Sequence, residues 1–492
     1  MSPASSGVAL LEAEATSGQS AVVEREGDSP ARPANRSGLD GDGVDQDGLK
    51  ACAEGESAST ESLATGIFLE AGSRPDRARV VVAKAGDHPS VFQLLTAVFQ
   101  GPSHDAFLAS LEDPFYEPCD RLLVKHGTQV AAHLHLTKRV MHFGPLRLGV
   151  SGLGWLGTLP EFRGHGYARR LLATAEGLMR EEGSELGMLR TRIPRYFRRD
   201  GWAVCTRRCW SRAGTRELLA QMQSQRSWRT PTPLNIRPWR QVELPALMRI
   251  YRQNIGEAFG ALDRTEPYWR WLGSRKGFDQ ILVAIDGPDR LELEDTTSPI
   301  VGYAVAKDDQ IIELLSAPDH PHARVQLLIR ACSEAIERDV HALSLHSPAH
   351  DPLHELFQLA RGTQWHHESF EGEYFMVKLL DPIGFLRRLC PELHRRASDA
   401  ALVRPCELGL VVEGRRHLLA VSRRSVKLLP RRTGRSYLRC NVAEFTRLVL
   451  GHVEVDEAVR LGRLQASTRM AVDVARVLFP RLPLWRPPLD DL

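Results

Sequence analysis

A chain of 492 residues, 42% of them apolar, has material for about three domains with buried cores of ordinary size. It has no run of about 18 uncharged apolar residues, which argues against a helical membrane span, and its opening "MSPASSGVALLEAEATSGQS" lacks the basic-then-apolar order of a secretory signal. Residues 1–78 carry 14 acidic against 6 basic side chains, the remainder is basic, and only 8 of the 64 cations are lysine. No aromatic-basic platform or recognition motif accompanies that charge, so no nucleic-acid partner is expected. The eight cysteines show no framework spacing and read as reduced thiols of a cytoplasmic protein. Cys205 and Cys209 have no second pair nearby, and no metal is expected.

Residues 1–78 are rich in Ser, Gly, Ala and acids without an apolar period, and read as a disordered acidic extension. Order begins with an alternating strand, Arg79 to Lys84, then Asp87 and a helix with Val91, Leu94, Leu95 and Val98 on one face. A helix around Asp105–Leu111 and the hairpin-like "DRLLVKHGTQVAAHLHLTKRVMHF" follow, then a strand at Leu148–Thr158. Next comes the glycine-punctuated loop Arg163-Gly164-His165-Gly166-Tyr167-Ala168. A helix leaves that loop with Ala168, Leu171, Leu172, Ala175, Leu178 and Met179 on one face, Arg169, Arg170, Glu176 and Arg180 on the other, and Gly183 to cap it. The strand "LGMLRT", a turn or short helix at "PRYFRRDGW" and a strand "AVCTRRCWS" close the unit, an α/β order.

After a break at "QMQSQRSWRTPTPLN" the same order returns more faintly, as an internal duplication. Here the equivalent loop, "APDHPHAR", lacks glycine. From 383 onward the character changes: strands "LGLVVEG", "RHLLAVSR" and "SVKLLP" precede two amphipathic helices, one with Phe445, Leu448 and Val449, the other with Ala471, Val474, Ala475 and Leu478. The domains expected are a 1–78 extension and units at 79–225, 229–380 and 383–492.

The loop at 163–168 carries the chemistry. A strand that turns into a helix aims backbone N–H groups and the positive helix end into the corner, which is an anion site. Side chains at Gly164 and Gly166 would keep a pyrophosphate from those amides; Ala168 lets the helix start close, and Arg163 and His165 add charge. The pattern is neither a P-loop nor a Rossmann fingerprint. Upstream, Gly152, Gly154 and Gly157 within one strand mark a bulge or a close backbone approach.

Strand, Arg-Gly-His-Gly-Tyr-Ala, helix, strand, then Tyr196-Phe197-Arg198-Arg199-Asp200-Gly201-Trp202 resembles the acetyl-CoA-binding core of GNAT acetyltransferases. The duplicated unit and a C-terminal domain similar to sterol carrier proteins extend the resemblance to the Eis-like (enhanced intracellular survival) members. The resemblance implies an α/β (α+β) fold of two GNAT-type units, the second degenerate, followed by a sterol-carrier-like domain. It implies acetyl-CoA as co-substrate and transfer to a primary amine, of aminoglycoside, polyamine or lysine type, on a small molecule or peptide; a homo-oligomer is compatible with it. Leu156, Gly157, Thr158, Arg163, Gly164, His165, Gly166, Tyr167 and Ala168 would bind the cofactor, with an amide near Leu156 or Thr158 facing the oxyanion.

The family's general acid is a tyrosine four residues before the Gly of Gly-Phe. That position is Phe197 here, and Tyr196 stands next to it, so either Tyr196 shifts into place or it is a core aromatic. In the Eis-like members the chain's own terminal carboxylate enters the site as base; here that would be Leu492, with Asp490 and Asp491 beside it to hold a cationic amine, the alternative being a frayed acidic tail. Glu112 and Asp113, beside Phe115 and Tyr116, line either the acceptor pocket or a solvated face. The histidines His133 and His135 alternate on one strand, and His346, His350 and His354 are interrupted by Pro348 and Pro352, so neither group reads as a metal site. A different class of function, a non-catalytic acyl-CoA sensor or lipid carrier that kept the cradle, is favoured by Phe197 alone.

Overall fold

The computed structural model describes residues 78–205, 208–224, 233–275, 277–289, 299–367, 369–370 and 372–490. All but the last residue of the acidic stretch 1–78 lies outside them. The first sheet runs β1 (Val80–Val82), β2 (Arg121–His126), β3 (Gln129–Phe143), β4 (Leu146–Thr158) and β5 (Leu186–Thr191), with the strand Glu373–Leu379 beyond β5. Neighbours are antiparallel except β4 and β5. The helices of this unit are α1 (His88–Phe99), α2 (His104–Leu111), α3 (Tyr167–Glu181) and α4 (Pro194–Arg198).

Period two sorts the strand side chains between layers. Leu122 and Val124 pack with Leu171, Leu172, Ala175 and Met179 of α3, whereas the intervening Leu123 packs with Val91, Leu94 and Leu95 of α1. Gly183, with a φ of +76°, ends α3, and Ser184 N–H reaches back to Met179 O. One residue of α3 departs from the helical pattern. Glu176, placed by spacing on the polar face, is buried, where Trp202 Nε1–H (2.9 Å) and Lys378 Nζ (2.6 Å) donate to its carboxylate. Both donors come from chain segments that helical spacing cannot see.

The second sheet lies in the order Thr363–His367, Arg208–Gly214, Ala342–His346, Gln310–Ser316, Ile300–Lys307, Gln280–Ile285 and Asn235–Pro238. The helix His322–Glu337 crosses between the parallel strands Gln310–Ser316 and Ala342–His346, as α3 does between β4 and β5. The repeated order read from the sequence is thus a repeated topology.

The expected single strand "AVCTRRCWS" divides. Ala203–Val204 pair with Glu373–Leu379 in the first sheet, while Arg208–Gly214 enter the second sheet between Ala342–His346 and Thr363–His367. The two sheets therefore exchange strands. Alternation shows which residues face a core, not which sheet supplies it, so the exchange is invisible in the sequence.

A helix not anticipated, Pro382–Asp399, opens the third unit. Pro391 within it reads as a breaker, yet Phe385, Leu386, Leu389 and Leu393 are all fully buried. The third sheet follows, with the order Val426–Pro430, Arg415–Val421, Cys406–Val412, Tyr437–Cys440 and Gln465–Ala466. Its helix residues Phe445, Leu448, Val474 and Leu478 share one continuous core with Met141, Phe143, Val150 and Met188 of the first sheet. The third unit thus covers the sheet face opposite α3. No helix among the described residues is long and apolar enough to cross a membrane.

Candidate active site

The site begins where β4 stops being regular. Its parallel pairing with β5 runs from Val150–Leu186 to Leu153–Leu189 and no further. On the other side, His135 faces Gly154 and His133 faces Gly157, so β4 spends three steps where β3 spends two. Trp155, inside this bulge, has a φ of +53°, a conformation that costs a bulky L-residue about 1–2 kcal/mol. Beyond the bulge, residues 154–158 stand apart from β5, and the strand turns through Pro160–Phe162 into the glycine loop.

Gly164 and Gly166 both adopt left-handed conformations, with φ of +82° and +75°, and nothing lies within 4 Å of where a Cβ would stand. Gly166 is the N-cap of α3 and supplies no capping side chain, so the first amides of α3 have no side-chain acceptor at that position. Arg163 and His165 are exposed; Arg163 Nε–H reaches Thr158 O at 3.4 Å, and His165 Nδ1 lies 3.0 Å from Arg163 O. Tyr167 is buried against α3's own core. Gly157 has a different reason to be glycine: a Cβ there would come within 2.8 Å of the Phe99 ring. The sequence reading placed Leu156, Gly157, Thr158 and 163–168 around one corner, and the structure brings them together at the end of β4 and the start of α3.

Tyr196 and Phe197 sit side by side on α4 with different surroundings. Phe197 is buried edge-on against Trp202, with ring centres 6.3 Å apart, whereas Tyr196 is half-buried. Burial, reinforced by Asp200, pushes the Tyr196 hydroxyl above the ordinary phenol range. Leu492 and Asp491 lie outside the described residues.

The tail leading to them is tied down. Trp485 N–H donates to Phe259 O at 2.9 Å. Gly260, with a φ of +110°, lets it approach, because a Cβ there would meet Trp485 O at 2.4 Å. Leu489 enters the core of the second unit. Asp490 is fully buried and accepts two bonds of 2.9 Å from Arg264, whose other N–H groups grip Glu313 at 2.9 and 2.6 Å. Burial opposes the Arg264 charge, but the two carboxylates outweigh it and hold its pKa well above the ordinary value. Asp490, read from the sequence as an acid free to bind an amine, is already paired.

Glu112 and Asp113 likewise part company. Asp113 is buried in an ion pair with Arg139, whose guanidinium lies 4.9 Å from the Phe115 ring and 4.8 Å from the Tyr268 ring. Glu112 instead lines a cleft of about 520 Å³ with Pro114, Glu266, Arg270, Trp271 and Ser274. The Trp271 indole N–H, from the second unit, donates to Ala109 O at 2.7 Å.

Sequence reasoning passed over one constellation. Arg121 and His133, both buried, are joined at 3.2 Å; Arg121 Nε–H donates to Tyr116 Oη at 3.0 Å, and Tyr116 Oη lies 2.7 Å from His88 Nε2. His133 Nδ1 is 3.0 Å from Trp155 O, in the bulge itself. The alternation of His133 and His135 was the only trace of this in the sequence. Among the described residues no group of three or more His, Cys, Asp or Glu is placed to hold a metal ion.

This corner, with its bulged strand, splayed neighbour and open left-handed glycines, lies within a segment that matches a known family. Residues 79–205 match the acetyltransferase (GNAT) domain. Several solved structures resemble the chain over most of its length. A GCN5-related N-acetyltransferase from Anabaena variabilis is 16% identical, with a TM-score of 0.64 over 83% of this chain and 99% of its own. One from Kribbella flavida is 17% identical, with a TM-score of 0.63 over 85% and 99%. Eis1 from Mycobacterium abscessus is 15% identical, with a TM-score of 0.57 over 83% and 98%. At these identities the likeness is one of fold, and it extends through the second and third units. No curated protein matches the chain.

Proposed function

We propose that the protein is an acetyl-CoA-dependent N-acetyltransferase of the Eis-like kind, acting on a primary amine, with a third domain of sterol-carrier type. The observation that carries this reading is the GNAT corner: glycines open to a ligand at the N-terminus of α3, beside a strand whose parallel partner has ended. The pyrophosphate would rest on the amides of 163–168, and the pantetheine arm would extend the sheet along Leu156–Thr158.

The amine nitrogen attacks the thioester carbon, forming the C–N bond as the C–S bond breaks. An amide near Leu156 or Thr158 stabilises the oxyanion. The amine proton passes to a base, and the departing thiolate is protonated by Tyr196, whose raised pKa keeps the hydroxyl protonated at neutral pH. The assignment of Leu492 as that base rests on the family resemblance. Glu112 in the cleft would attract a cationic acceptor, whereas Glu266 beside it is paired with Arg270.

A panel of amines with acetyl-CoA, read by thiol release, tests this function. Turnover with at least one primary amine is expected, and Tyr196→Phe should lower kcat about 10²-fold or more at unchanged acetyl-CoA affinity. Binding without turnover on any amine would favour the sensor or carrier reading, and unaltered turnover in the variant would remove Tyr196 from the mechanism.

A further inference from the structure

The bond directions around His133 are forced by chemistry. A guanidinium has only donors, so His133 Nε2, 3.2 Å from Arg121 Nη1, must present a lone pair. Trp155 O has only lone pairs, so His133 Nδ1 must carry the hydrogen it donates across 3.0 Å. His133 is therefore neutral and in one tautomer. Burial, with the Arg121 charge added, agrees, pushing its pKa down to about 3. Arg121 is itself fixed, donating also to Tyr116 Oη and, at 3.3 Å, to Ser110 Oγ, with the Phe107 and Tyr116 rings 5.1 and 5.2 Å away.

The other end of this chain of bonds is the unfavourable backbone of Trp155. Its carbonyl turns inward to His133, while its indole is 38% exposed and packs edge-on against Phe99, 5.4 Å between ring centres. A non-glycine residue stays left-handed only when its surroundings compensate it. Removing the His133 hydrogen bond would free β4 to return to regular pairing, shifting Leu156 to Thr158 against the corner.

We propose that His133 is a positioning residue: held by Arg121, it donates to Trp155 O and so maintains the bulge that sets the Leu156–Thr158 amides for the thioester. This rests on the acetyl-CoA reading of that strand. Asn places a donor where Nδ1 stands and Leu does not, so His133→Asn should keep kcat within a few-fold while His133→Leu lowers it about 10²-fold, the penalty for misplacing reacting groups by about 1 Å. The Trp155→Gly background provides the decisive comparison. Glycine adopts a positive φ without penalty, so His133→Leu should cost less than tenfold there.

Equal losses in the two backgrounds would overturn the proposal, as would failure of Asn to rescue; melting temperatures of all variants identify any that do not fold. A second readout needs no turnover. Nitrogen-15 spectra of the wild type, assigned by the loss of one ring in His133→Asn, should show His133 protonated on Nδ1 alone from pH 8 to pH 5. A proton on Nε2 would overturn the positioning role. Absence of acetyl transfer in the wild type, with the Nδ1 tautomer present, would instead overturn the acetyltransferase reading.

Discussion

Gly166→Asp is expected to abolish acetyl-CoA binding while leaving the fold intact. The position is left-handed, which Asp tolerates better than most side chains, and open space surrounds the site of the new Cβ. As the N-cap of α3, an aspartate can accept hydrogen bonds from the helix's first amides, a change that relative to glycine is worth only about a few tenths of a kcal/mol. Those same amides are the ones proposed to hold the pyrophosphate. The variant would thus fill the anion site with its own carboxylate and repel the ligand. Two like charges about 4 Å apart at a protein surface interact by about 4 kcal/mol, or roughly a thousandfold in affinity. Calorimetry should show binding lost with a melting temperature within a few degrees of that of the wild type; Gly166→Ala should weaken binding far less. Unchanged affinity in the Asp variant would remove the cradle from the reading.

The largest effect on stability is expected at Arg264. It lies between Glu313 and Asp490, and the side chains of all three are at most 1% exposed. Arg264→Met would leave two carboxylates buried without a cation, and breaking a buried pair in this way costs about 3–5 kcal/mol. The pH dependence of the damage follows from its sign. In the variant the unpaired carboxylates have folded pKa values raised above their unfolded ones, so protonation restores stability below the unfolded values and stability falls as pH rises through the folded ones. Its melting temperature, measured against that of the wild type, should therefore recover between pH 8 and pH 5.

Asp490→Asn removes less, because Arg264 keeps Glu313. It should loosen the tail without unfolding the rest, seen as faster hydrogen exchange of the Trp485 amide, which is bonded to Phe259 O. A melting curve for Arg264→Met that matches the wild type at pH 8 would show that the cluster does not hold these elements together.

Some of this could be read from the residues alone because the physics is local. The order of strands and helices in the first unit, the cap at Gly183 and the corner at 163–168 depend on side-chain period and on glycine's freedom, both visible within a dozen positions. The faint second copy was legible for the same reason. The helix Pro382–Asp399 was not anticipated; Pro391 lies inside it, where a proline normally ends a helix, and the tertiary packing of Phe385, Leu389 and Leu393 outweighs its cost.

What the tertiary structure decided are relations between distant segments. The exchange of Arg208–Gly214 for Glu373–Leu379 leaves every strand's alternation unchanged, so no pattern could reveal it. Glu176, Asp113 and Asp490 look like solvated acids in sequence; each is buried because a cation or donor arrives from a remote position: Lys378, Arg139 or Arg264. The left-handed Trp155 is the sharpest case. Nothing local favours that conformation in tryptophan, and it exists beside a neutral histidine on the neighbouring strand and an arginine one strand further, since only the assembled sheet places a donor opposite its carbonyl.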